Sequence, residues 1–136
     1  MEPEARGPIY HIVVRSELEP GIAAGLYTPS AFGDDGFVHC AQRESVLAIA
    51  RDYYSDVSEP VWLLEIDVSR LDAEVVYEEP TVPAGARPSH LETASHFPHV
   101  YGPLNGSAIT GAAELGRGDG EFAWPARFDS LAAALA

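Results

Sequence analysis

Val61-Trp62-Leu63-Leu64-Glu65-Ile66-Asp67-Val68 is the strongest strand signal in the chain, a run of large and β-branched apolar residues opened by Pro60. Before it, residues 42–54 have the helical period: Val46, Ile49, Ala50, Tyr53 and Tyr54 fall on one side and Arg43, Glu44, Arg51 and Asp52 on the other. Further toward the N-terminus, Gly36–Cys40 reads as a short strand, 25–36 as a turn-rich loop, and 16–24 as a short helix made irregular by Pro20 and Gly21. Residues 8–14, PIYHIVV, read as a strand that is apolar on both faces and therefore central. On the C-terminal side, a connector at 69–72 leads to a strand at 73–79. A loop over 80–98 follows, carrying four prolines and Gly85. Strands at 107–114 and 120–124, joined by the turn GRGDG, and a helix over 128–135 complete the pattern. About six or seven strands against two or three helices, without βαβ alternation, predict an α+β fold with an antiparallel or mixed sheet. The length of 136 residues suits a single domain over 1–136, its core running from about 8 to 125.

Charge excludes several function classes. The chain has 21 acidic residues against 8 arginines and no lysine, a formal net charge of −13. Such a surface repels phosphate backbones, so no nucleic-acid partner is expected. Without lysine, neither Schiff-base catalysis nor a Walker-type phosphate loop is available. No apolar run is long enough to span a bilayer, no signal-peptide pattern opens the sequence, and Cys40 is the single cysteine, so a cytoplasmic protein without a membrane partner is expected.

The residues that carry chemistry are mainly histidines. His11 shares a strand face with Ile9 and Val13, and His39 shares one with Phe37, opposite Val38 and Cys40. Each is either a core histidine bonded to a backbone carbonyl or a ring presented to a ligand from a rigid strand. Two such histidines on two apolar strands favour the second reading. The helix that begins directly after Cys40 offers unpaired N–H groups to an anion, and Arg43 in its first turn either strengthens that site or is simply solvated. Cys40 cannot be activated by its strand neighbour His39, which points to the opposite face, so it reads as a small buried hydrophobe. His96 and His99 flank Phe97-Pro98, a spacing unlike that of known zinc sites, and no metal is expected. In PHVYGPLNG, the Gly-Pro and Asn105-Gly106 pairs constrain the backbone, so His99 and Tyr101 suit a pocket wall, with core packing of Tyr101 as the alternative. Glu65, Asp67 and Glu78 are strand carboxylates, either exposed at an edge or, for one of them, able to orient a histidine.

The ordered segments IYHIV, GLYTPSAFGDDGFVHC, LLEIDVSRL, VYEE and FPHVYGPLNGSAI resemble the bacterial family catalogued as domain of unknown function 952, over about residues 8–125. That resemblance implies the split-sheet fold of ADP-ribosyltransferases, nearest in pattern to RNA 2′-phosphotransferases, which consume NAD. There a Tyr/His pair on the first strand precedes a Val-His-Leu-Ser tract before a helix; Tyr10–His11 and Val38-His39-Cys40-Ala41 match these. The resemblance implies NAD as substrate and a transferase acting through an oxocarbenium-like ribosyl cation. Taken with the strand, helix-start and loop readings above, it gives the expectation that His11, His39 and His99 gather in one cleft as catalytic residues, with contacts from Tyr10, His11, His39, Cys40, Arg43, Tyr101 and Asn105. His11 would hold the ribose on the nicotinamide side and His39 would sit beside the nicotinamide. Where the family carries Ser after His-Cys and Gln four residues later, this chain has Ala41 and Ser45, and Glu114 lies near the late strand of the transferase glutamate without its motif. Those departures define the alternatives: a non-catalytic module binding a small nucleotide-like ligand, or a protein in which the histidines only pack. Oligomeric state is not readable from the sequence.

Overall fold

The computed structural model describes residues 8–18, 26–27, 33, 36–79, 94, 96–118 and 121–135. The elements in chain order are β1 (Ile9–Val14), β2 (Leu26–Tyr27), β3 (Val38–His39), α1 (Arg43–Tyr54), β4 (Val61–Ile66), a 3-10 turn (Val68–Arg70), β5 (Val75–Glu78), β6 (Phe97–Val100), β7 (Leu104–Asn105), a second 3-10 turn (Gly106–Ala108), β8 (Ile109–Glu114), β9 (Gly116–Gly118), β10 (Glu121–Ala123) and α2 (Leu131–Leu135). A further helical turn covers 15–18. The expected helix beyond it, most of the 25–36 loop and the 80–93 loop lie outside the described residues.

Two three-stranded antiparallel sheets organise the chain, ordered β1-β4-β8 and β3-β6-β5, with two-stranded ladders β2-β7 and β9-β10 beside them. The α+β class and the antiparallel pairing therefore agree with the sequence reading, and every described strand pair is antiparallel, with none of the parallel partners a mixed sheet would need. The position of β1 differs from expectation: it is an outer strand of its sheet, not a central one. Its free edge is covered instead by a backbone pair with Ala41, Tyr10 N–H to Ala41 O at 2.7 Å and Ala41 N–H to Tyr10 O at 2.8 Å. This rung joins the two sheets just after β3.

Alternation along the strands creates two cores. One face of the first sheet, with Ile9, Val13, Leu64 and Ile66, packs against Val38 and Val100 of the second sheet. The other face, with Tyr10, Ile12, Val61 and Leu63, packs against Val46 and Ala50 of α1. This is why the strands read as apolar on both sides: the first sheet is the middle layer.

The largest departure from the sequence reading is β6. Phe97–Val100 is the centre strand of the second sheet, whereas Pro98 and the proline-rich run before it read as loop. Pro98 is tolerated because of where β3 ends. The Pro98 carbonyl accepts from Cys40 N–H at 3.1 Å, so the missing proline N–H also faces Cys40, where the chain is already turning away toward β1. GRGDG likewise begins as strand β9, Gly116–Gly118, which pairs antiparallel with β10.

Gly111 sets a tight contact at the C-terminal end. A Cβ there would lie 2.8 Å from Phe128 Cβ and 3.4 Å from Asp129 O, because the neighbouring Ala112 is backbone-paired with Asp129. Neither atom is the free end of a side chain, so Gly111→Ala is expected to destabilise the fold by about 1–3 kcal/mol in urea melts, with m unchanged.

Candidate functional site

The outer face of the second sheet, opposite Val38 and Val100, gathers the aromatic and imidazole side chains. Gly36 opens β3 with φ of 81°, a left-handed conformation suited to glycine, and the next residue, Phe37, starts the alternation. In register, His39 lies opposite His99, and His99 opposite Val76. Phe37 and His39 therefore share a face with His99, Tyr101 and Glu78. The Phe37 ring stacks on His99 at 4.0 Å between centroids and 17° between planes. It also lies 4.7 Å from the His39 ring and 5.4 Å from Tyr101. His39 meets His99 edge-on at 5.5 Å and 72°. Such ring pairs contribute about 0.5–1.5 kcal/mol each beyond their buried area. Here they hold a platform whose rim is open, since the His39 side chain is exposed and Tyr101 is 41 % exposed.

Glu78 is the carboxylate of this face. Its Oε1 accepts from His99 Nδ1 at 2.8 Å and from the Tyr101 hydroxyl. The Tyr101 bond first, and the His99 bond second, hold the Glu78 carboxyl below the usual range, and the same bond raises the Tyr101 phenol. His99 is only 6 % exposed. Of the three strand carboxylates open in the sequence, Glu65 instead accepts from the Tyr10 and Thr110 hydroxyls, at 3.3 and 2.9 Å, and Asp67 caps the 3-10 turn through Ser69 N–H at 3.0 Å. Glu114 sits on β8, in the other sheet.

His11 faces the core between the sheets, 7 % exposed, and its Nδ1–H donates to the His39 backbone carbonyl at 2.7 Å. Burial pushes its imidazole down to about 4, against the raising effect of that carbonyl. His11 thus reaches the site through the backbone of His39 and is not on the face that carries the other two rings. Cys40 is buried in the same core, and burial pushes its thiol up.

Three further candidates are placed apart. Tyr10 points to the opposite side of β1, edge-on to Trp124 at 5.1 Å, and burial with Glu65 pushes its phenol up to about 12. Arg43 lies over the Trp124 ring at 4.5 Å, so the aromatic ring accounts for a cation in the first turn of α1 without an anion. Asn105 is 7 % exposed and spends its amide on the chain: Oδ1 accepts Asp72 N–H at 3.0 Å, and Nδ2 donates to Arg70 O at 3.0 Å and to Ser107 Oγ at 2.8 Å. It pins the connector between β4 and β5 and has both of its amide hydrogens spent on the chain. Phe37 and Glu78 are the residues the sequence did not single out as binders. The signal was available in the repeated ring-x-ring pattern, Phe37-x-His39 and His99-x-Tyr101, which pairs once β6 is recognised as a strand. Among the described residues, no group of three or more His, Cys, Asp or Glu side chains is placed to hold a metal ion. Nor is any described helix long and apolar enough to cross a membrane.

A family model described as a protein of unknown function, DUF952, matches residues 12–112. The crystal structure of protein CC0527 from Caulobacter crescentus is similar, with 25% identity and a TM-score of 0.67, covering 85% of this chain and 93% of that one. The solution structure of the same protein has 23% identity and a TM-score of 0.52, covering 85% and 90%. No curated protein matches the chain.

Proposed function

This chain belongs to the DUF952 family of proteins of unknown function, and we propose that it binds the nicotinamide–ribose end of NAD, or a closely related nucleotide, and transfers the ribosyl group. The observation that carries this reading is the open Phe37–His39–His99–Tyr101 platform with Glu78 at its edge. The nicotinamide ring of NAD is a flat cation. Aromatic faces, a carboxylate and a net charge of −13 all favour such a group, and imidazole suits ribose hydroxyls. The described arginines lie elsewhere: Arg15 over Trp62, Arg43 over Trp124, Arg117 over Phe122, Arg70 and Arg127 beside Asp67 and Asp129, and Arg51 on α1. Recognition is therefore weighted toward the ring and sugar over the pyrophosphate. Ribosyl transfer through an oxocarbenium-like state needs positioning and charge stabilisation more than a strong nucleophile.

Calorimetric titration with NAD, ADP-ribose and nicotinamide tests the reading. NAD is expected to bind, and Phe37→Ala and His39→Ala are each expected to weaken it about tenfold, the equivalent of one lost stacking contact or hydrogen bond. Folded protein that gives no heat at millimolar NAD would remove the proposal. The second reading, a binding module without turnover, is favoured by Ala41, which packs with Val46 and Ala50 of α1 where the family resemblance implies a serine. It predicts NAD binding without nicotinamide release.

A further inference from the structure

We propose that Glu78 is the positioning residue of this site, holding His99 in the Nδ1–H tautomer so that its Nε2 is the proton acceptor offered to a nucleophile. The geometry is direct. An ionised carboxylate only accepts, so the 2.8 Å contact requires the proton on His99 Nδ1, which leaves the Nε2 lone pair free. No hydrogen bond from a described residue occupies Nε2, while Phe37 stacks on the ring and fixes its plane. Tyr101, donating to the same carboxylate oxygen, keeps that oxygen from rotating away and holds Glu78 ionised. A carboxylate, an imidazole and a second ring nitrogen without a hydrogen bond from a described residue form the arrangement by which proteins make histidine a general base.

The chemical role rests on the ribosyl-transfer reading above. In that step Nε2 takes the proton of an acceptor hydroxyl, from water or an alcohol, as its oxygen bonds to C1′ of the ribose. The bond from C1′ to the pyridinium nitrogen breaks with its electron pair passing to that nitrogen, so nicotinamide leaves neutral, and His99 then returns the proton to solvent. The Glu78 carboxylate stabilises the imidazolium while it exists.

The experiment has two independent arms. Nitrogen NMR of imidazole-labelled protein in mildly alkaline buffer reports the tautomer: the wild type is expected to show His99 protonated on Nδ1, and Glu78→Gln to shift the ring toward Nε2–H. An Nε2–H wild type, or a tautomer unmoved in Glu78→Gln, overturns the assignment. In the kinetic arm, Glu78→Gln is expected to lower kcat for nicotinamide release about 100-fold with little change in KM, at the low end of a general base's contribution, and Glu78→Asp to recover part of it. Release that is unaffected by Glu78→Gln also overturns it. Absence of release by the wild type would instead overturn the transfer reading, and the NMR arm would still decide the role of Glu78.

Discussion

Acidification is expected to cost the fold about 3 kcal/mol through His11 alone, the free-energy equivalent of an imidazole lowered from 6.5 to about 4 by burial. The sign follows from proton uptake. Well above 6.5 the ring is neutral in both states and contributes no pH slope. As pH falls through 6.5 the unfolded chain binds a proton that the native state refuses, so stability declines, and the decline ends near 4, where the folded ring protonates too. The bond to the His39 carbonyl is made by a neutral Nδ1–H and survives across this window, so the loss registers as stability and not as a local rearrangement. Urea melts at pH 7.5, 6, 5 and 4 measure it directly. His11→Gln is less stable at neutral pH, because the His39 carbonyl bond is made less well. It should nevertheless show a flatter pH profile than the wild type, by about 3 kcal/mol over the window. Parallel profiles would place the acid sensitivity in other groups.

Asn105→Ala is expected to be the most damaging change near the site, about 2–4 kcal/mol, although it touches no ring of the platform. The amide satisfies Asp72 N–H and Arg70 O, two backbone groups of the connector between β4 and β5, and both lose their partner at once. Each orphaned, partly buried group costs about 1–3 kcal/mol. A folded fraction large enough for titration should bind NAD with nearly wild-type affinity, since both amide hydrogens and one oxygen lone pair are spent on the chain. An affinity loss larger than that of His39→Ala would return Asn105 to the binding surface, where the sequence reading expects it.

The contrast between these residues shows what was legible beforehand. The strands at Val61–Ile66 and Ile9–Val14 and the helix Arg43–Tyr54 were readable because their apolar periods continue through both cores. β6 was hidden by Pro98, whose cost depends on a partner strand ending at Cys40, a fact of tertiary register that no local pattern contains. The site followed the same division. His39 was legible as a strand-borne ring, and His99 as a ring on a stiff segment at the end of a loop. Glu78 was not separable from Glu65 and Asp67, because which carboxylate meets a histidine is set by the pairing of β5 with β6. Tyr10 lies in one matching tract and Arg43 shortly after the other, yet alternation and the helix start turn them toward Trp124. Adjacency in sequence was the misleading signal.

The Tyr10–Ala41 rung also has a mechanical side. Its two short bonds, with the His11 contact to the His39 carbonyl beside them, brace one peptide stretch from three directions. A ligand that displaces the His39 backbone would therefore act directly on β1 through these bonds. Amide deuteration at Tyr10 and Ala41 would sense any occupant of the outer face, although neither side chain lies there.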